Sequence, residues 1–179
     1  MTLKTYKPLL LQLPLLALWL VLGGCYSFTG TNISPEVKSI SIANFSNPSG
    51  QGPSNLQQQV TEDFRDYFQR NTSLRLLPQA GDLQIEGQIT SYSFSPAAIS
   101  RAGTVGNQTL DQAGANRLTI NIQIKYTDTK APENSFEQGF SSYFDFPPTQ
   151  DINQITPAQI RNITDRLVYN VFTKTVANW

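Results

Sequence analysis

The chain has 179 residues, with 13 Lys and Arg against 13 Asp and Glu, no histidine and one cysteine. A lone cysteine forms no internal disulfide, and without imidazole there is neither a zinc-type ligand set nor the base of a Ser-His-Asp or Cys-His centre. Zero formal charge argues against the basic face that a nucleic-acid binder needs, while 39% hydrophobic and 15% charged residues fit one globular domain.

Lys4 and Lys7 precede an apolar run from Leu9 to Leu22, broken by Gln12 and Pro14, which meets Leu22-Gly23-Gly24-Cys25. A basic start, a short apolar stretch and small residues before a cleavage point describe a secretory signal. The run is shorter than the ~20 apolar residues of a spanning helix. Residues 1–24 are therefore expected to be removed. Their loss takes two lysines and no acid, which tips the mature chain slightly acidic. Cys25, at the end of this signal, resembles the modified cysteine of bacterial lipoproteins. Lipidation there would give a stable membrane anchor, each buried CH₂ contributing ~0.8 kcal/mol. By the same resemblance, Tyr26 in place of an aspartate favours the outer membrane. Residues 25–37 lack periodicity and read as a tether, leaving 38–179 as the folded domain.

Lys38–Phe45 alternates through Ile40 and Ile42 and predicts a strand. The stretch from Ser46 to Pro53 is loop by composition. It contains Gly50-Gln51-Gly52, but the third glycine of a dinucleotide-binding turn is missing, so the pair reads as plain loop. Ser54 with Gln57 predicts a capping box. Leu56, Val60, Phe64, Tyr67 and Phe68 then form one apolar stripe of a helix running to about Arg70. Glu62, Asp63 and Asp66 crowd the same helix. An acid–base pair can be drawn from them, but a solvated face with an Asp66–Arg70 pair explains them more simply.

Leu74–Leu77 predicts a brief second strand. Leu83, Ile85, Gly87 and Ile89 alternate with polar residues, and beyond Thr90 the apolar phase slips to Tyr92 and Phe94. A bulge near Thr90–Ser91 accounts for the slip. Residues 96–116 are small and polar and predict a long loop. Leu118, Ile120, Ile122, Ile124 and Tyr126 make the clearest strand. Phe136, Phe140, Phe144 and Phe146 make the last, ended by Pro147-Pro148, and their stripe is expected to be core. A final helix opens at Thr156 with Pro157 and Gln159, and Ile160, Ile163, Leu167, Val171 and Val176 form its stripe.

The order β-α-β-β-β-β-α predicts an α+β two-layer sandwich: a mainly antiparallel sheet with both helices on one face. Gln84, Gln88, Thr119, Asn121 and Gln123 then share the other face. They are polar and uncharged, where a solvated face usually carries Lys and Glu. Such a face suits contact with another polar protein wall; a chain rich in Asn and Gln throughout is the plainer account. Arg101 and Arg117 are cations with few acids near them in sequence, and their guanidinium forks could meet phosphates.

The lipidation signal followed by Cys25-Tyr26-Ser27-Phe28-Thr29-Gly30 resembles the LptE lipopolysaccharide-assembly lipoproteins in their Bacteroidota form. So do Ile40-Ser41-Ile42-Ala43-Asn44-Phe45-Ser46-Asn47 and the Leu83–Tyr92 segment, with Gly87 central and Asp82 ahead of it. The resemblance implies an α/β sandwich, no catalytic residue and no cofactor. It also implies a partner, an LptD-like outer-membrane β-barrel whose lumen the domain plugs, and a part in lipopolysaccharide insertion. The five polar residues above would face the barrel, and Arg101, Arg117 and Lys125 would be the candidates for lipopolysaccharide. Two other classes stay open: a lipoprotein that serves a different envelope assembly or secretion partner, and a lipid-anchored hydrolase working through carboxylates.

Overall fold

The strands form one five-stranded mixed sheet in the order β2-β1-β3-β4-β5, with β1 at Ser39–Ile42, β2 at Arg75–Leu77, β3 at Leu83–Ala97, β4 at Ala115–Asp128 and β5 at Phe136–Phe146. Helix α1 spans Leu56–Asn71 and α2 spans Pro157–Thr175. The computed structural model describes residues 34–97 and 114–176. Cys25, Arg101 and most of the 96–116 segment lie outside the described residues.

The long strands β3, β4 and β5 are antiparallel, as their alternation predicts, whereas β1 pairs in parallel with both β2 and β3. Ile40 and Ile42 of β1, Ile85 and Ile89 of β3, and Leu118 to Ile124 of β4 give the sheet one apolar face. The stripes of both helices close over it. Leu56, Val60, Phe64 and Phe68 of α1 and Ile160, Ile163, Leu167 and Val171 of α2 are all buried in the same core. Full burial of one such side chain is worth ~1.5–3 kcal/mol, so these stripes are what hold the layers together.

Two details of the first helix differ from expectation. The Ser54–Gln57 box does not form: Asn55 is the N-cap, without a side-chain cap bond, because the Pro53 carbonyl takes the Leu56 N–H at 3.0 Å. Arg70 Nε donates to the backbone carbonyl of Asp66, not to its carboxylate. The second helix forms its box as predicted, with Thr156 N donating to Gln159 Oε1 at 2.8 Å and Thr156 Oγ1 accepting from Gln159 N.

The slip in β3 is a bulge between Ile89 and Ser91. Local irregularity leaves a backbone donor to be satisfied elsewhere; Tyr92 N donates to Gln51 Oε1 at 3.1 Å. The Gly50-Gln51-Gly52 loop thus buttresses the bulge. Gly50 (φ +63) and Gly52 (φ +86) supply the left-handed backbone that places Gln51 there.

Between β2 and β3 the chain crosses β1 in a few residues, on the face away from the helices. The crossing is tight enough that a Cβ on Gly81 would stand 2.5 Å from Ser41 N. Asp82 locks it: one carboxylate oxygen accepts from Lys38 N, Ser39 N and Ser39 Oγ at 3.0, 3.1 and 2.7 Å. These bonds hold the Asp82 carboxyl down at about 2. The phenylalanine stripe of β5 is only partly core: Phe146 is buried, but Phe136, Phe140 and Phe144 are half-buried. The reason is position, since β5 is the outer strand of the sheet.

Candidate functional site

Cross-strand register arranges the helix-free face of β3, β4 and β5 in rows. The middle rows are Gln88–Gln123–Gly139, Ser91–Asn121–Ser141 and Ser93–Thr119–Tyr143. Thus Gln88, Thr119, Asn121 and Gln123 lie together in one patch of short, uncharged donors and acceptors. Asn121 Nδ2 reaches Ser91 Oγ at 3.1 Å. Gln84 lies at the margin beside the β2–β3 crossover, where its Nε2 donates to the Gly81 carbonyl at 3.2 Å.

The face is neutral only in its middle. One bounding row is Glu86–Lys125–Glu137, with Lys125 Nζ 3.3 Å from Glu86 Oε1. Both side chains are 56% exposed, so the pair contributes little, ~0–1 kcal/mol. A hollow of about 220 Å³ opens beside it, lined in part by Gln88, Gln123 and Glu137. The other bounding row is Ser95–Arg117–Asp145. Arg117 grips Asp145 through two bonds of 2.6 and 2.9 Å, and its guanidinium lies 3.9 Å over the Tyr143 ring. The two bonds raise the arginine's pKa and lower the aspartate's.

These contacts correct the expectation that Arg117 stands apart from acids, and they give Lys125 a carboxylate partner as well. Antiparallel pairing brings Asp145 of β5 beside Arg117 and Glu86 of β3 beside Lys125, each more than about twenty-five positions away in sequence. Tyr143 went unremarked in the sequence, although the parity of β5 carries the signal. If the phenylalanines face the core, then Glu137, Gly139, Ser141, Tyr143 and Asp145 must face outward. Tyr143 is 46% exposed.

The carboxylates of α1 separate. Glu62 and Asp66 are exposed, whereas Asp63, expected on the solvated side, is 5% exposed. Its carboxylate accepts from Arg161 Nε and Nη2 at 3.0 and 2.8 Å and from Thr164 Oγ1 at 2.6 Å. It is a tie between the two helices, with its acceptor sites turned into the helix interface. Among the described residues, no three acidic or sulfur side chains converge as metal ligands.

The segments of the family resemblance that lie among the described residues have structural roles. Phe45 stacks on Phe64 with ring centroids 4.7 Å apart. Asn44 Oδ1 accepts from Arg65 at 3.0 Å, and the same guanidinium donates to the Ile42 carbonyl at 2.7 Å. Gly87 leaves room for the Phe45 ring.

The family model described as LptE, lipopolysaccharide-assembly, matches residues 37–175. No curated protein matches the chain. Among solved structures, a hypothetical protein from Chlamydia trachomatis is similar, with 10% identity and a TM-score of 0.51 over 79% of this chain and 99% of that one. A lipoprotein from Neisseria meningitidis shares 11% identity at a TM-score of 0.40, covering 76% of this chain and 96% of that one. A minor lipoprotein from Acinetobacter baumannii shares 10% identity at 0.43, covering 73% and 87%. At such identity the first likeness concerns fold alone.

Proposed function

The chain belongs to the LptE lipopolysaccharide-assembly family, and from that premise we propose that it is an outer-membrane lipoprotein, anchored at Cys25, whose helix-free sheet face packs against the inner wall of an LptD-like β-barrel. In this role it acts by occupying the lumen and supporting the barrel's assembly, without a reaction of its own. The observation that supports the reading is the three central rows of Gln, Asn, Ser and Thr with Gly139 and Tyr143. Barrel interiors are polar, and short neutral side chains can exchange bonds with such a wall without the cost of burying unpaired charge. At the margins, Lys125 and Arg117 each already face a carboxylate. We assign them to the frame of this contact face, and place lipopolysaccharide phosphates elsewhere.

A photo-crosslinking residue at Gln123 tests the assignment, with Glu62 on the helix side as the comparison site. The Gln123 variant should yield an adduct with a large outer-membrane barrel and the Glu62 variant should not. Equal adducts from both sites, or none from Gln123 with the protein in the outer membrane, would show that the sheet face is not the contact.

A further inference from the structure

On the helix side of the sheet, where β4 ends and the last turn of α2 leaves it, lies a cavity of about 570 Å³. That volume is in the ~300–1,000 Å³ range of small-molecule sites. Two rings, Tyr126 and Phe136, contribute to its wall, their centroids 5.3 Å apart. Tyr126 is 3% exposed, and its hydroxyl has no hydrogen-bond partner among the described residues. Burial, and then the charge of Asp128, push its pKa up, so it is available as a donor. Lys174 stands 5.8 Å from the Phe136 ring centroid and makes no ion pair among the described residues. Its place in the last turn of α2 suits the helix dipole, but the dipole does not account for its ring contact. Ser135 Oγ accepts from Asp128 N, and among the described residues neither its own proton nor the Asn134 side chain has a partner.

The balance of groups selects a class of ligand. One ammonium, Lys174, shares the lining with two carboxylates, Glu133 and Asp128, the latter accepting from Lys130 N and Ala131 N, and this excess of negative charge disfavours a phosphate or another anion. A wholly apolar ligand would strand the tyrosine hydroxyl and the amide away from water. A polyhydroxylated ring answers both donors and acceptors and lays its C–H face on an aromatic wall. We propose that this cavity is a saccharide-binding site, with Tyr126, Asn134 and Lys174 as hydrogen-bonding groups and Phe136 as the platform. The sugar can be a free saccharide or the headgroup of a glycolipid. The inference goes beyond barrel contact and does not depend on it.

The test is saturation-transfer NMR on the full chain in lauryldimethylamine oxide micelles, with glucose, N-acetylglucosamine and maltose as probes and inorganic phosphate as the anion control. At least one sugar should receive transfer and phosphate should not compete. Tyr126→Phe keeps the ring and removes one hydrogen bond, so affinity should fall about 3–10-fold. Asn134→Ala, on an exposed turn where folding is not at risk, should weaken binding as well. Dodecyl maltoside distinguishes the sources: tighter binding than maltose at equal sugar concentration marks a lipid-borne headgroup, and equal binding marks a free saccharide. No transfer to any of the three sugars, displacement by phosphate, or unchanged affinity in both variants overturns the proposal.

Discussion

Phe45 fills the space in which Gly87 would carry a side chain: a Cβ built on Gly87 would overlap the Phe45 ring. The two residues lie on neighbouring stretches of chain, since Ser46 N donates to the Gly87 carbonyl and Ile89 N to the Ser46 carbonyl. This short parallel pairing presses the ring onto β3 and, from the other side, against Phe64 of α1. Gly87 is therefore a packing requirement in the middle of a strand.

Gly87→Ala should destabilise the domain by ~1–3 kcal/mol, the usual cost of overpacking a close contact. Phe45→Leu alone should also destabilise, by lost burial. The double variant should cost less than the sum, because the smaller side chain makes room for the methyl. Urea midpoints for the four proteins check this; strict additivity would show that the two sites do not compete for one space.

Asp82 makes stability depend on acid in a defined direction. Its carboxyl is held at about 2 in the folded protein, below the ~3.9 of an unfolded aspartate. The stabilisation is therefore complete above the unfolded value and is lost as pH falls from about 4 toward 2. Asp82→Asn should lower the melting temperature at pH 7, and the gap to the parent should narrow as pH is brought from 6 to 3. A gap that stays constant over that range would mean that the carboxylate's charge is not what holds Lys38 and Ser39.

Arg161→Met removes the cation from the buried Asp63 while keeping the bond from Thr164. Because the arginine is itself 57% exposed, the loss should fall below that of a fully buried pair, ~1–3 kcal/mol. Asp63→Asn with Arg161→Met together should recover part of the loss, since no unpaired buried charge remains. Chemical denaturation measures both; a neutral Arg161→Met would remove the helix tie from the account.

Tyr143 and Arg117 form the aromatic–cation pair of the proposed contact face, the residue types that dominate interface energetics. Tyr143→Ala should reduce co-purification of the barrel about 10-fold or more while leaving the urea midpoint nearly unchanged, because the ring is 46% exposed. Thr119→Arg, which places a charge in the neutral row beside it, should act in the same direction. Normal barrel recovery from both variants would exclude this end of the face.

For the anchor, Cys25→Ser should abolish palmitate labelling and leave the precursor unprocessed. Labelling equal to that of the parent would place the lipid elsewhere or nowhere.

Local chemistry in the sequence was sufficient to determine the elements whose two faces differ. The alternation of Leu118 to Tyr126, the capping box at Thr156 and the phase slip after Ile89 each depend on residues a few positions apart, and each has its counterpart in the structure. The family resemblance was legible in the same way, and two of the segments that carry it, Ile40 to Asn47 and Leu83 to Tyr92, pack the fold. What only the tertiary structure decided are relations across long separations. Parallel pairing of β1 with β3, burial of Asp63 against Arg161, and the partners of Arg117 and Lys125 all join residues at least about twenty positions apart. Hydrophobic periodicity carries no term for which strand lies beside which. A charged residue therefore reads as free until the sheet sets a carboxylate next to it. The open face was predicted from parity alone and stands as a face, while its charged ends came from the pairing of β4 with β3 and β5. The lone cysteine that first excluded disulfide chemistry is a matter of sequence throughout, since its meaning lies in the residues before it.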